Sequence, residues 1–370
     1  MRICFIGDPR SVHTRRWVGW FAGRHEVSLI RTAPDAADGD VPGPVLPEAG
    51  PVPGSRLLSS VAGVRRHLRE FRPDVLHAHY INESGWFAGF AGWRPYVVTA
   101  WGSDVYRAPQ ESWLARRLNP HVVRRADHVT CDSRDQASVL ASWGVASERL
   151  SVIGWGVDLG EFNAGVSGAR LRARLEVPQD VPVVLSPRQW LPNSHVEAIV
   201  AAHARLPEDV FLVLKRIPRF EEDGGRSVEA AIAASPARAR IRVIGEIEAG
   251  ELPELYAVSD VVASLCETDG TPVSVLEAMA LGKPIVAYRN ASLAEWVEPP
   301  GGALVDDHAP ETIARALAPL LTDAAARRAA AAHNREVIAR RADRAAEMSS
   351  MESIYERVVQ SRRAAGVRHA

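Results

Sequence analysis

Short apolar runs, separated by polar turns and by stretches of helical period, recur along this chain at 3–7, 25–30, 74–80, 95–100, 128–131 and 150–153, then at 181–185, 211–214, 241–244 and 261–265. Two more, after Lys283-Pro284 and within 301–305, close the series. Runs of this length without a polar face are what a parallel strand covered on both sides requires. Between them, 15–22, 57–71, 135–143, 251–258, 271–281 and 348–367 predict helices. Strand alternating with helix predicts an α/β protein built on parallel sheets, and 370 residues exceed what one core usually supports, so two domains are expected.

The stretch 260–288, DVVASLCETDGTPVSVLEAMALGKPIVAY, carries most of the chemistry. After the 261–265 strand, Cys266 to Gly270 form a polar loop, Thr271 reads as the N-cap and Pro272 as the first residue of a helix that Gly282 ends. A helix N-terminus at the carboxyl end of a parallel strand attracts phosphate. Asp269 and Glu277, eight residues apart, can face one cleft while Val273, Leu276 and Ala280 pack on the sheet. Carboxylates repel phosphate but bind hydroxyls strongly, so a phosphate flanked by two sets of hydroxyls, a nucleotide sugar, is the ligand predicted. Arg188 follows the 181–185 strand and Lys215-Arg216 the 211–214 strand. Cations at adjacent strand ends opposite a helix N-terminus clamp a diphosphate, Arg as a fork and Lys as a point charge.

DGTPVSVLEAMALGKPIVA resembles the Glu-x7-Glu signature of the retaining glycosyltransferase family four, whose fold is GT-B. The resemblance implies two Rossmann-like α/β/α domains facing each other across a deep cleft, with the C-terminal helix crossing back to the first. The domains would be 1–163 with 348–370, for the acceptor, and 164–347, for the nucleotide-sugar donor. It implies that Asp269 holds donor-sugar hydroxyls, that Glu277 holds the ribose, and that the backbone of Gly270, Thr271, Pro272, Val273, Ser274, Val275 and Leu276 meets sugar and diphosphate. Glu267, two residues upstream of Asp269, is the other acid within reach of the sugar. Arg188 matches the family's phosphate arginine, and Gly245-Glu246 its base-binding turn. The family's lysine would fall near Asn193 or Ser194, so Lys215 is read as the second cation from the strand ends alone.

Composition narrows the classes. With 44 basic and 45 acidic residues the net charge is −1, so no global field draws nucleic acid. Cys4, Cys131 and Cys266 lack metal-site or disulfide spacing. The chain opens directly on a strand and has no apolar run long enough to span a bilayer, which predicts a cytoplasmic protein. Arg65, Arg66, Arg69 and Arg72 form a basic face for which peripheral association with the inner face of the membrane is the weaker of two readings, a solvated surface the stronger.

In the first half, GxGxxG is absent after the opening strand, which removes most support for a nicotinamide or flavin enzyme. SVHTRRW stands there instead, offering Ser11 and His13 to donor phosphate or acceptor. Asp38-Gly39-Asp40 sits among prolines and reads as a solvated loop, not a metal site. His77 and His79 share a sheet face; without a third ligand His77 reads as core and His79 as a cleft-edge residue. Trp101 stands where the family often has a histidine; it could stack on a sugar, with Ser103 or Asp104 for polar contact, or be buried. The function expected is transfer of a sugar, from a UDP-sugar by preference, to a small-molecule, glycan or lipid-linked acceptor with retention and without a metal or other cofactor. A nucleotide-sugar epimerase or hydrolase, or a non-catalytic nucleotide-sugar-binding protein, are the alternatives.

Overall fold

The computed structural model describes residues 1–34, 41–46, 55–217, 224–268 and 271–367. Asp38-Gly39-Asp40, Asp269 and Gly270 lie outside the described residues. The chain divides into two units, Met1–Trp155 with Ala346–Ala370, and Gly156–Ala345.

The first unit holds β1 (Arg2–Gly7), β2 (Glu26–Arg31), β3 (Val75–His79), β4 (Tyr96–Thr99), β5 (His128–Cys131) and β6 (Leu150–Val152). They form one parallel sheet in the order β2-β1-β3-β4-β5-β6. Alternate residues of β1 serve opposite faces, as strand geometry requires. Cys4 and Ile6 pack with Val64 and Leu68 of the helix Ser55–Phe71, while Ile3 and Phe5 pack with Trp17 and Phe21 of the helix Val12–Ala22. Met348, Met351, Ile354 and Tyr355 of the last helix, Arg344–Val367, join that second face. The C-terminal helix therefore returns to the first unit, as expected.

The second unit holds β7 (Val183–Ser186), β8 (Phe211–Lys215), β9 (Ile241–Ile244), β10 (Val261–Ser264), β11 (Ile285–Tyr288) and β12 (Gly302–Val305), parallel in the order β12-β11-β10-β7-β8-β9. Both sheets reverse their winding once, between β1 and β3 and between β7 and β10, and in open α/β sheets ligands bind beyond the carboxyl ends of such neighbouring strands.

Among the helices not anticipated from periodicity are Trp113–Arg125, Val196–His203 and Gly224–Ala234. The first helix begins at Val12 and not at 15, because Ser11 caps it, accepting from the Thr14 amide at 3.5 Å. Among the described residues no helix is long and apolar enough to cross a membrane.

Candidate functional site

The strand registers place three sequence-predicted residues side by side. Ser186 pairs with Leu214 and Lys215 with Ile244, so Lys215 at the end of its strand and Arg188 and Gly245 just past theirs lie at the carboxyl ends of three adjacent strands. Arg188 is half-buried, and its Nη1 donates to Ser274 Oγ at 3.3 Å. That contact joins the end of β7 to the first turn of the helix Val273–Ala280, which follows β10 across the switch point.

Glu277 lies on the second turn of that helix and is only 4 % exposed. Tyr256, itself buried, donates its hydroxyl to Glu277 Oε2 at 2.8 Å. Burial draws the Lys215 amine below its ordinary pKa, and the charges of Glu277 and Glu246 oppose that shift. Arg188, Lys215, Ser274 and Glu277 thus share one edge of the second sheet. Gly245 and Glu246 are exposed beyond β9, and nothing lies within 4 Å of where a Gly245 side chain would start. The neighbouring cation Arg216 is committed elsewhere, paired with Glu229 at 2.8 Å and lying 4.9 Å over the Trp190 ring.

The helix start differs from the sequence reading. Pro272, not Thr271, occupies the cap position, and no side chain caps it. Thr271 is buried, the Val273 amide donates to its carbonyl, and the amides of Val275 and Leu276 donate to Pro272. Three of the amides expected to meet donor are therefore already bonded within the turn, and Ser274 is the first-turn residue that Arg188 reaches.

In the first unit a cavity of about 440 Å³ lies beyond the β1/β3 switch point, lined by Asp8, Ser11, His79, Tyr80, Glu83 and Trp101 among others. His79 is 1 % exposed and neither ring nitrogen has a hydrogen-bond partner. Burial, helped by the charge of His13, pushes its pKa down to about 3, so its ring is neutral at pH 7. The carboxylates of this pocket are paired, Asp8 with Arg10 at 2.7 Å and Glu83 with Arg56 at 2.6 Å. Tyr80 and Glu83 carry positive φ of 80° and 50°, costly for such residues and typical of sites where backbone strain is retained. His13 packs against Trp155 at 4.3 Å and Trp101 at 5.9 Å between ring centroids.

His77 is core, bonded to Tyr355 at 2.5 Å and Thr99 at 2.7 Å, and so unavailable as a metal ligand. Asp104 does not supply a ligand contact. It is fully buried and accepts from the Ile81 and Trp101 amides at 2.7 and 2.9 Å, while burial raises its pKa to about 6. The second lysine, Lys283, holds the Ser259 carbonyl at 2.6 Å. Sequence reasoning missed Tyr256 as the partner of Glu277; a tyrosine on a separate helix carries no signal linking the two.

Comparison with known proteins follows this geometry. Residues 11–156 match the glycosyl transferase 4-like domain, and residues 169–337 match glycosyl transferases group 1. A D-inositol 3-phosphate glycosyltransferase from Xylanimonas cellulosilytica is 30% identical over 300 residues, 74% of this chain and 70% of that one. The structure of Anabaena Alr3699/HepE in complex with UDP and glucose aligns with TM-score 0.82 at 20% identity, over 96% of this chain and 99% of that one. A sucrose-phosphate synthase from Thermosynechococcus elongatus aligns with TM-score 0.81 at 21% identity, covering 98% and 100%. With both family domains in order on paired parallel sheets, the chain belongs to the group 1 glycosyltransferases, family four, retaining enzymes of GT-B fold that use a nucleotide-sugar donor.

Proposed function

We propose that the chain moves a sugar from a nucleoside-diphosphate sugar, with UDP as the favoured nucleotide, to a hydroxyl-rich acceptor. The observation that carries the reading is the Arg188–Ser274 contact, which sets a forked cation against the opening of the 273–280 helix at the switch point. Arg188 and Lys215 take up the negative charge that develops on the departing diphosphate, which pre-set cations stabilise without reorganising and without a metal at that position. Glu277, fixed by Tyr256, accepts from the ribose hydroxyls, Asp269 or Glu267 holds the sugar, and Gly245-Glu246 borders the base. UDP is favoured because a structural neighbour was solved with UDP and glucose.

The acceptor belongs in the first-unit cavity. Its carboxylates and the neutral ring of His79 offer hydrogen-bond acceptors and lone pairs to hydroxyls, and His13 and Trp101 offer ring faces. A histidine that ionises only near pH 3 orients a hydroxyl and does not store its proton. Several relatives are named D-inositol 3-phosphate glycosyltransferases, which makes cyclic polyols the first acceptors to try. Incubation with UDP-glucose and a panel of polyols and sugars, read by mass spectrometry, tests this. A glycosylated product supports transfer; release of UDP at the same rate with and without acceptor points instead to a hydrolase or epimerase.

A further inference from the structure

Three side chains from separate parts of the second unit converge beside the β7/β10 switch point: His195 after β7, Glu267 after β10 and His308 after β12. One ligand atom of each lies within 4.8 Å of the other two. His195 Nε2 is 2.9 Å from Glu267 Oε1, and the His195 and His308 rings stack with centroids 3.8 Å apart.

The outer contacts decide what this cluster is for. His308 Nε2 faces the Leu265 carbonyl at 3.0 Å, and His195 Nδ1 faces Glu197 Oε1 at 3.4 Å. The carbonyl on His308 Nε2 holds the proton there and leaves a lone pair on Nδ1, as in metal-binding histidines. At His195 both nitrogens face a carboxylate, so a metal ion taking Nε2 and Glu267 displaces the proton between them while Glu197 keeps one on Nδ1. Two imidazole nitrogens and one carboxylate oxygen are the donor set with which zinc keeps a fourth position open.

The frame around the ligands is braced. The Glu267 amide donates to the Asn193 carbonyl at 3.1 Å, Asn290 Nδ2 donates to the Cys266 carbonyl at 2.8 Å, and the Tyr288 ring stacks on His308 at 4.3 Å. Tetrahedral bonds of about 2.1 Å place ligand atoms roughly 3.4 Å apart, against separations of at most 4.8 Å here. We propose that His195, Glu267 and His308 bind one divalent transition-metal ion of the zinc class, at a site separate from Arg188 and Lys215. Because Glu267 lies two residues before Asp269, an occupied site takes Glu267 from the two acids offered to the donor sugar and leaves Asp269 for it. That consequence alone rests on the proposed function.

The test uses full-length, tag-free protein stripped with chelator and titrated with Zn²⁺ in the absence of nucleotide, so its outcome is independent of donor binding. One equivalent is expected to bind, and Co²⁺ is expected to give the visible absorption of a low-coordinate site. Glu267→Gln and His308→Asn should each weaken Zn²⁺ at least tenfold while the metal-free melting temperature stays near that of the parent. At His195 the backbone φ is 48°, so His195→Asn is the tolerable variant, asparagine accepting left-handed backbone. No stoichiometric uptake, or equal uptake by the His195→Asn/His308→Asn double variant, overturns the proposal.

Discussion

Replacing Arg188 by alanine separates a ligand-binding role from a structural one. In the free protein the bond from Arg188 to Ser274 Oγ is 3.3 Å long and ends on a neutral hydroxyl, so losing that bond should cost about 1 kcal/mol or less of stability. For a unit of this size that corresponds to a melting shift of about 2–4 °C. Toward a diphosphate the same guanidinium makes charge-assisted bonds worth about 1.5–3 kcal/mol, which weakens UDP roughly 10- to 150-fold. Calorimetric titration with UDP needs no acceptor and reads the effect directly, with Arg188→Lys expected to fall between parent and alanine because it keeps the charge and loses the fork. UDP affinity within threefold of the parent in Arg188→Ala, with the fold intact, would refute the clamp.

Two further outcomes follow from the geometry. Glu277→Ala should lower nucleoside diphosphate affinity at least tenfold, and Tyr256→Phe, which removes the 2.8 Å bond to Glu277 and leaves the carboxylate in place, by a smaller factor; equal affinity across all three proteins sinks the ribose assignment. His79 ionises near pH 3 when folded and near 6.5 when unfolded, so the unfolded chain binds more protons between those values. Its stabilising contribution is complete above pH 6.5 and falls by up to about 1.4 kcal/mol per pH unit as acid is added. Urea melts from pH 7.5 to 5 should therefore show a shallower slope for His79→Asn than for the parent, and identical slopes would contradict a neutral buried ring.

The inner strands were legible because parallel strands covered on both faces must be apolar throughout, and Val184, Val262 and Val286 have no solvent side to encode; the edge strands, with Val152 and Val243 exposed, were found from their apolar runs alone. The donor edge was legible for a related reason: a cation just past a buried strand, such as Arg188, has nowhere to point but beyond the sheet. What stayed hidden depends on long-range pairing. Tyr256 meets Glu277 only once two helices dock, and His195 reaches His308 only across the top of the sheet. A signal for His195 was present, since it follows Asn193-Ser194, where the family resemblance places a lysine. Asp104 stood beside Ser103 as one of two residues for polar contact because a polar residue after a strand resembles a site residue, whereas two backbone amides claim its carboxylate. The Trp113–Arg125 helix was missed because Pro120 and its many charges obscure the helical period.

The account rests on one grip, the edge of the second sheet holding a nucleotide diphosphate. A crystal structure with UDP-glucose tests it most directly. It should show diphosphate oxygens within hydrogen-bonding reach of the Arg188 guanidinium, about 2.7–3.2 Å, and ribose hydroxyls on Glu277. Nucleotide bound elsewhere, with Arg188 still turned to Ser274 and Glu277 contacting only protein, would contradict it.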